Sequence, residues 1–266
     1  MDDAQIHKIA NFKSSMSLTQ LEVRYEKLEK LNVLSMRVSP SSRLYKLDYK
    51  SERIFIPLLD DLFQFAMEGM KTAFSIKNNP GLPRSSMYVL IRSSIEASSH
   101  ANWLMSMDND KEAIYESLRT YRETIVNCRK IFEENAQLHG NMKKEEQPYR
   151  FYLEEKMYKI YPKRKPWKQV QYSKIVGNND VGYAKDIGRR GFYSGLAAWE
   201  LCSAVTHGNQ AVLSAVAGEP RERALKLQTN DSESQNDRLA VLVFACMPAI
   251  ENLEYSIYLR GKYSSN

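Results

Sequence analysis

Along most of this chain apolar residues return every three to four positions, with polar residues filling the intervals. In SLTQLEVRYEKLEKLNVL, Ser17 is followed three residues later by Gln20, the arrangement in which the first residues of a helix cap one another. Leu21, Leu28 and Leu31 then recur at helical spacing, which predicts an amphipathic helix opening at residue 17. SMRVSPSSRLYK has no period and reads as a linker to a second helix, from about Pro57 to Ile76, which NNPGLP at 78–83 ends. Between Arg84 and Met107 the apolar or small residues Met87, Leu90, Ile91, Ile95, Ala97, Ala101 and Leu104 point in every direction, so this helix belongs in the middle of a bundle. DND at 108–110 caps the next helix, whose stripe of Ala113, Ile114, Leu118, Tyr121, Ile125, Cys128 and Phe132 runs to HG at 139–140. So short a connection implies that the two are antiparallel neighbours.

From Asn141 to Arg190 the pattern weakens. YPKRKPWKQ and GNNDVG interrupt whatever helix EQPYRFYLEEKMYKIY forms, as an insertion lying over the bundle would. The period returns at Phe192, runs to HGN at 207–209 and, after a polar loop, resumes in a last helix from Asn236 to Leu259 that contains Pro248. No stretch alternates as a strand does and no repeat is evident. The expected fold is therefore all-α: one helical domain over 1–266, with bundle helices in 17–140 and 192–262 and a basic, aromatic-rich insertion at 141–191.

Composition narrows this picture. The 266 residues are 43% hydrophobic and 26% charged, enough to bury a sizeable core. Cys128, Cys202 and Cys246 are far apart within helical patterns, so neither a disulfide framework nor a zinc pair is indicated, and a reducing cytoplasm is expected. MDDAQIHKIANF lacks the apolar core of a signal peptide, and the apolar run LAVLVFACMPAI is too short to cross a bilayer, so no membrane partner is expected. The net charge is +6, and the stretch Lys143 to Lys174, with ten basic and four acidic residues, carries an excess equal to that of the whole chain.

Two constellations could carry chemistry. On the central helix Arg92, Glu96, Ser99 and Trp103 share a face, being four, three and four apart; on the late helix Glu200, Ser203 and His207 share another. Charges on a helix that is otherwise apolar need partners, because desolvating an ion costs several kcal/mol, on the order of a whole protein's margin of stability. If the two helices pack side by side, Arg92 and Glu96 would meet Ser203 and His207. His207 could then act as acid and base on a phosphodiester whose phosphate Arg92 holds. The same groups could equally be a satisfied polar network that fixes helix register and does nothing else.

The second constellation is the basic stretch, where Tyr149, Tyr152, Tyr158, Tyr161, Trp167 and Tyr172 interleave with lysines and arginines. Lys159, Lys163, Arg164, Lys165, Trp167 and Lys168 are its expected nucleic-acid contacts, cations for phosphates and rings for unpaired bases; a solvated charged surface is the alternative. There is no Gly-rich phosphate loop, paired-cysteine zinc spacing or nucleophile elbow, and the four histidines at 7, 100, 139 and 207 are scattered, so neither cofactor nor metal is indicated.

RSSIEASSHANWL and YSGLAAWELCSAVTHGN resemble, respectively, the R-x-x-x-E helix and the late Y…S-x-x-x-H-G helix of prokaryotic helical proteins related to the HEPN superfamily. The resemblance covers about 40 residues directly. It implies a helical bundle that forms a homodimer or binds a partner protein, and relatives in toxin and phage-defence systems that act as metal-independent ribonucleases, with Arg92, Glu96, Ser203 and His207 as the site. Active ribonucleases of that superfamily carry R-x4-6-H on one helix, whereas here seven residues separate Arg92 from His100. Two expectations follow: a defence- or toxin-type protein acting on RNA as a ribonuclease, or a non-catalytic module that binds a partner protein or nucleic acid.

Overall fold

A computed structural model describes residues 17–31, 34, 36–77, 85–134, 142–164, 171–188, 194–209, 212 and 232–265. Among them the chain is helical without strands: α1 (Leu18–Lys30), α2 (Arg43–Lys50), α3 (Phe55–Lys77), α4 (Ser85–Ser106), α5 (Asp110–Glu134), α6 (Met142–Ile160), α7 (Tyr172–Ile187), α8 (Gly195–Thr206) and α9 (Ser232–Ser264). The all-α class expected from the 3.6-residue period is what the chain forms.

Two compact units divide it. The first comprises residues 1–35, 62–103 and 172–258; the second comprises 36–61, 104–171 and 259–266. The stretch 141–191, expected as one insertion, is thus shared between them. In the first unit the core is built from Leu21, Met70, Met87, Ile91, Ile95, Cys202, Ile250 and Leu253, all nearly or wholly out of solvent. The helix α4 is buried over most of its length, at Ile91, Ser94, Ile95 and 97–102, but it is not enclosed on every side as its composition implied, because Val89 is exposed and Arg92, Ser93 and Glu96 are only half-buried. Of its buried polar groups, Ser94 Oγ donates to Ala66 O at 2.9 Å, Asn102 Nδ2 donates to Asn252 O at 3.0 Å, and Ser99 Oγ accepts from Asn252 Nδ2 at 2.9 Å. Asn179 Nδ2 donates in turn to Asn252 Oδ1 at 2.7 Å, so a chain of amides sets the register of α4, α7 and α9.

Three sequence expectations are corrected. The linker SMRVSPSSRLYK contains the start of α2, because Ser42 Oγ accepts the Tyr45 N–H and the two leucines that follow, Leu44 and Leu47, are fully buried; eight residues were too few to show a period. GNNDVG at 177–182 does not interrupt a helix but lies inside α7. Gly182 lets the Tyr255 hydroxyl approach, while Asn179 and Asp180 bond neighbouring elements. The apolar run of the last helix is also longer than it reads. Residues 239–264 are long and apolar enough to cross a membrane by length and composition, although 83% of the most apolar window is buried inside the protein.

The second unit packs α5 against α6 and against α2. Leu44, Leu47, Phe55, Leu59, Leu104, Tyr115, Leu118, Leu153 and Met157 form its core. Arg43 ties α2 to the start of α5, donating from Nε to Asp110 Oδ1 at 2.9 Å and from Nη1 to Met105 O at 2.7 Å.

Candidate functional site

In the first unit α4 and α8 do meet through polar side chains, but the residue that α8 supplies is Trp199. Arg92 Nε donates to Glu96 Oε1 at 3.0 Å, one turn along α4, and the indole Nε1–H of Trp199 donates to the same oxygen at 2.7 Å. The Arg92 guanidinium lies over the Trp199 ring, 5.4 Å from its centroid. Each of the two charged side chains is about a fifth exposed, at 22%. A partly desolvated ion pair is thereby closed by a neutral donor and a ring face, and it needs no further ligand to be stable.

Ser203 and His207 do not join it: no hydrogen bond or ion pair links either of them to Arg92 or Glu96. Ser203 is half-buried, while Glu200 and His207 are exposed. His207 is the C-cap of α8, and its backbone N–H donates to Ser203 O at 2.9 Å. Gly208 follows with φ +69°, a left-handed turn that glycine adopts at little cost, and its N–H donates to Val205 O. The S-x-x-x-H-G pattern is thus accounted for as a helix that ends.

The start of α8 is set from α7. Asp180 accepts the N–H of Gly195 at 3.1 Å and of Leu196 at 3.2 Å, together with the Ser194 hydroxyl at 3.0 Å. Burial pushes the Asp180 carboxyl above its ordinary range, opposed by these three donors. Gly195 has to be glycine for this contact, because a Cβ there would lie 2.6 Å from Asp180 Oδ1. Cys202, one turn from Trp199, is completely buried; its thiol is pushed well up by that burial, with Cys246 adding to the effect and Arg92 opposing it. Burial likewise pushes Cys246 up to about 12. Neither thiol is available as a nucleophile at neutral pH.

The expected nucleic-acid contacts separate. Lys163 is exposed, and Lys159 is exposed and paired with Glu155 at 2.5 Å, one turn away on α6. Arg164 instead turns towards α5, where it pairs with Glu112 at 2.5 Å and Glu116 at 2.8 Å, over the rings of Tyr115 and Tyr161. The reason lies in Glu116, whose side chain is 2% exposed and which needs Arg119 and Arg164 to balance its charge. Burial still raises the Glu116 carboxyl above its ordinary range, against the pull of those two arginines. Lys165, Trp167 and Lys168 lie outside the described residues.

Trp199 and Asp180 are the residues that sequence reasoning missed. Trp199 stands one turn before Ser203 on the same stripe, and its indole N–H was the available signal; Asp180 had none, because its role depends on the contact between α7 and α8. No family model, no curated protein and no solved structure matches this chain, so its function has to be read from the residues themselves.

Proposed function

We propose that this chain is a HEPN-like module of the defence or toxin type that acts on RNA by binding it in single-stranded form, without cleaving it. The observation that carries the reading is the outward face of α6. Phe151 and Tyr158, seven residues and two turns apart, are 56% and 62% exposed, and the Lys159 side chain beside them is 65% exposed. Exposed rings beside basic side chains suit unpaired bases and the phosphates between them; here the Arg150 guanidinium lies over Phe151, 4.9 Å from its centroid, and Lys159 is shared with Glu155. The non-catalytic half of the reading rests on the first unit. Glu96 is already engaged by Arg92 and Trp199, and His207 stands exposed at a helix end with no bond to either charged group.

Titration of a labelled single-stranded RNA, read by fluorescence anisotropy at several salt concentrations, tests binding; gel analysis of the same mixtures tests cleavage. The expected result is salt-sensitive binding with intact RNA, unchanged in His207→Ala. Cleavage that His207→Ala abolishes while remaining folded would overturn the non-catalytic reading. Absence of binding at low salt would overturn the assignment to RNA.

A further inference from the structure

The corner between α2 and α3, in the second unit, is built to hold a guanidinium and a ring in the open. Glu52 and Arg53 are consecutive non-glycine residues at φ +60° and +64°, a conformation that L side chains avoid and that persists where the surroundings impose it. Buried Asp48 imposes it here. Its backbone carbonyl accepts the Arg53 N–H at 2.8 Å, one carboxylate oxygen accepts the Ile56 N–H at 3.0 Å, and the other accepts Arg53 Nη1 at 3.2 Å. The Arg53 guanidinium is thereby laid over the rings of Tyr45 and Tyr49, 4.8 Å and 5.4 Å from their centroids. Yet its side chain remains 52% exposed, and Tyr49, at 67%, is among the most exposed large residues of the protein.

Around this pair the charge is positive. Lys46 and Lys50 are exposed on the same helix as Tyr49. The opposing charge, Glu52, is occupied: it accepts from Lys156 Nζ at 2.6 Å and from the Tyr152 hydroxyl, which draws its carboxyl below the ordinary range. That contact joins the corner to α6, where Tyr152 stacks with Tyr149 at 6.1 Å and Tyr149 meets Tyr121 edge-on at 6.1 Å. A planar cation held flat beside an open ring, with lysines at the flank, is the arrangement that takes a base by its face and the adjoining phosphate by its oxygens. A duplex, whose base faces are covered, cannot use it.

Building on the RNA-binding reading above, we propose that the α2–α3 corner is a single-stranded RNA site, with Tyr49 the platform for one unpaired base, Arg53 the contact to the neighbouring phosphate, and Lys46 and Lys50 further phosphate contacts. The test is the affinity of the full chain for a mixed-sequence single-stranded RNA and for the same sequence as a duplex. Tyr49→Ala should weaken single-strand binding by about five- to a hundredfold, whereas Tyr49→Phe, which keeps the ring, should stay within about twofold of wild type. The double variant Lys46→Ala/Lys50→Ala, at two exposed positions, should lower the slope of log affinity against log salt by about 1.4, near 0.7 for each cation. Glu52→Gln should tighten binding by releasing Lys156. If the wild type binds single strands and the Tyr49 and lysine variants bind equally well, the corner is not the site although the functional reading stands. If the wild type binds no single-stranded RNA, both fall. Equal affinity for the duplex would remove the role given to Tyr49.

Discussion

Replacing Trp199 with Phe tests whether the polar contact between α4 and α8 is a structural clasp. The substitution keeps a ring under the Arg92 guanidinium and removes the Nε1–H that Glu96 Oε1 accepts at 2.7 Å. A hydrogen bond to a charged group contributes about 1.5–3 kcal/mol. Because the Glu96 side chain is 22% exposed, water can replace part of the lost donor, and Arg92 Nε stays in place at 3.0 Å. The expected cost is therefore about 1–2 kcal/mol, or a fall in Tm of about 2–6 °C in a chain of this size. Thermal unfolding followed by far-ultraviolet circular dichroism measures it. The decisive comparison is a double-mutant cycle: in a Glu96→Ala background no acceptor remains, and Trp199→Phe should then cost only its small change in packing. Two costs that simply add would refute the clasp. RNA affinity should be the same in all four proteins, since the proposed contacts lie on other helices.

Two further outcomes concern the start of α8. Gly195→Ala should destabilise by about 1–2 kcal/mol, read from the denaturant midpoint, because the new methyl displaces the Asp180 carboxylate that caps the helix. The same change in an Asp180→Ala background should be close to neutral. Asp180→Asn should alter the pH dependence of stability. A half-buried acid whose folded pKa is raised binds protons more readily folded than unfolded, so its contribution to stability falls as pH rises from the ordinary aspartate value near 3.8 through the raised one. The variant should show a shallower decline over that window than the wild type; an identical profile would mean that Asp180 is not responsible for any of it.

What the sequence made legible depended on whether a residue's reason for being there was local. The long helices α3, α4 and α5 were readable because each buries a face with the helix's own period, and a cap such as Asn109, which accepts the Lys111 N–H at 3.0 Å, acts within one turn. The α7 segment was misread because Gly182, Asn179 and Asp180 serve neighbours distant in sequence; locally they look like breakers. The candidate site failed to be legible for a related reason. Helical spacing correctly grouped Arg92 with Glu96, but spacing cannot say which turn of a second helix lies opposite, and an offset of one turn put Trp199 where Ser203 was expected.

The same limit applies to charge. Counting cations identified the stretch from Lys143 to Lys174 as basic, yet a count is blind to where the opposite charges fold. Arg164 is consumed by Glu112 and Glu116 from α5, and Lys156 by Glu52 from the turn before α3. The cations left facing water belong partly to a short helix, α2, whose surroundings read as a linker, and they became visible as a surface only once Asp48 and the left-handed turn had fixed Arg53 against Tyr45 and Tyr49. A field that recruits a polyanion depends on unpaired charge. In this chain it is therefore Lys46 and Lys50 of the α2–α3 corner on which the salt dependence of binding should turn, since Arg53 is paired with Asp48, and the basic segment of the sequence only as far as its pairing leaves it free.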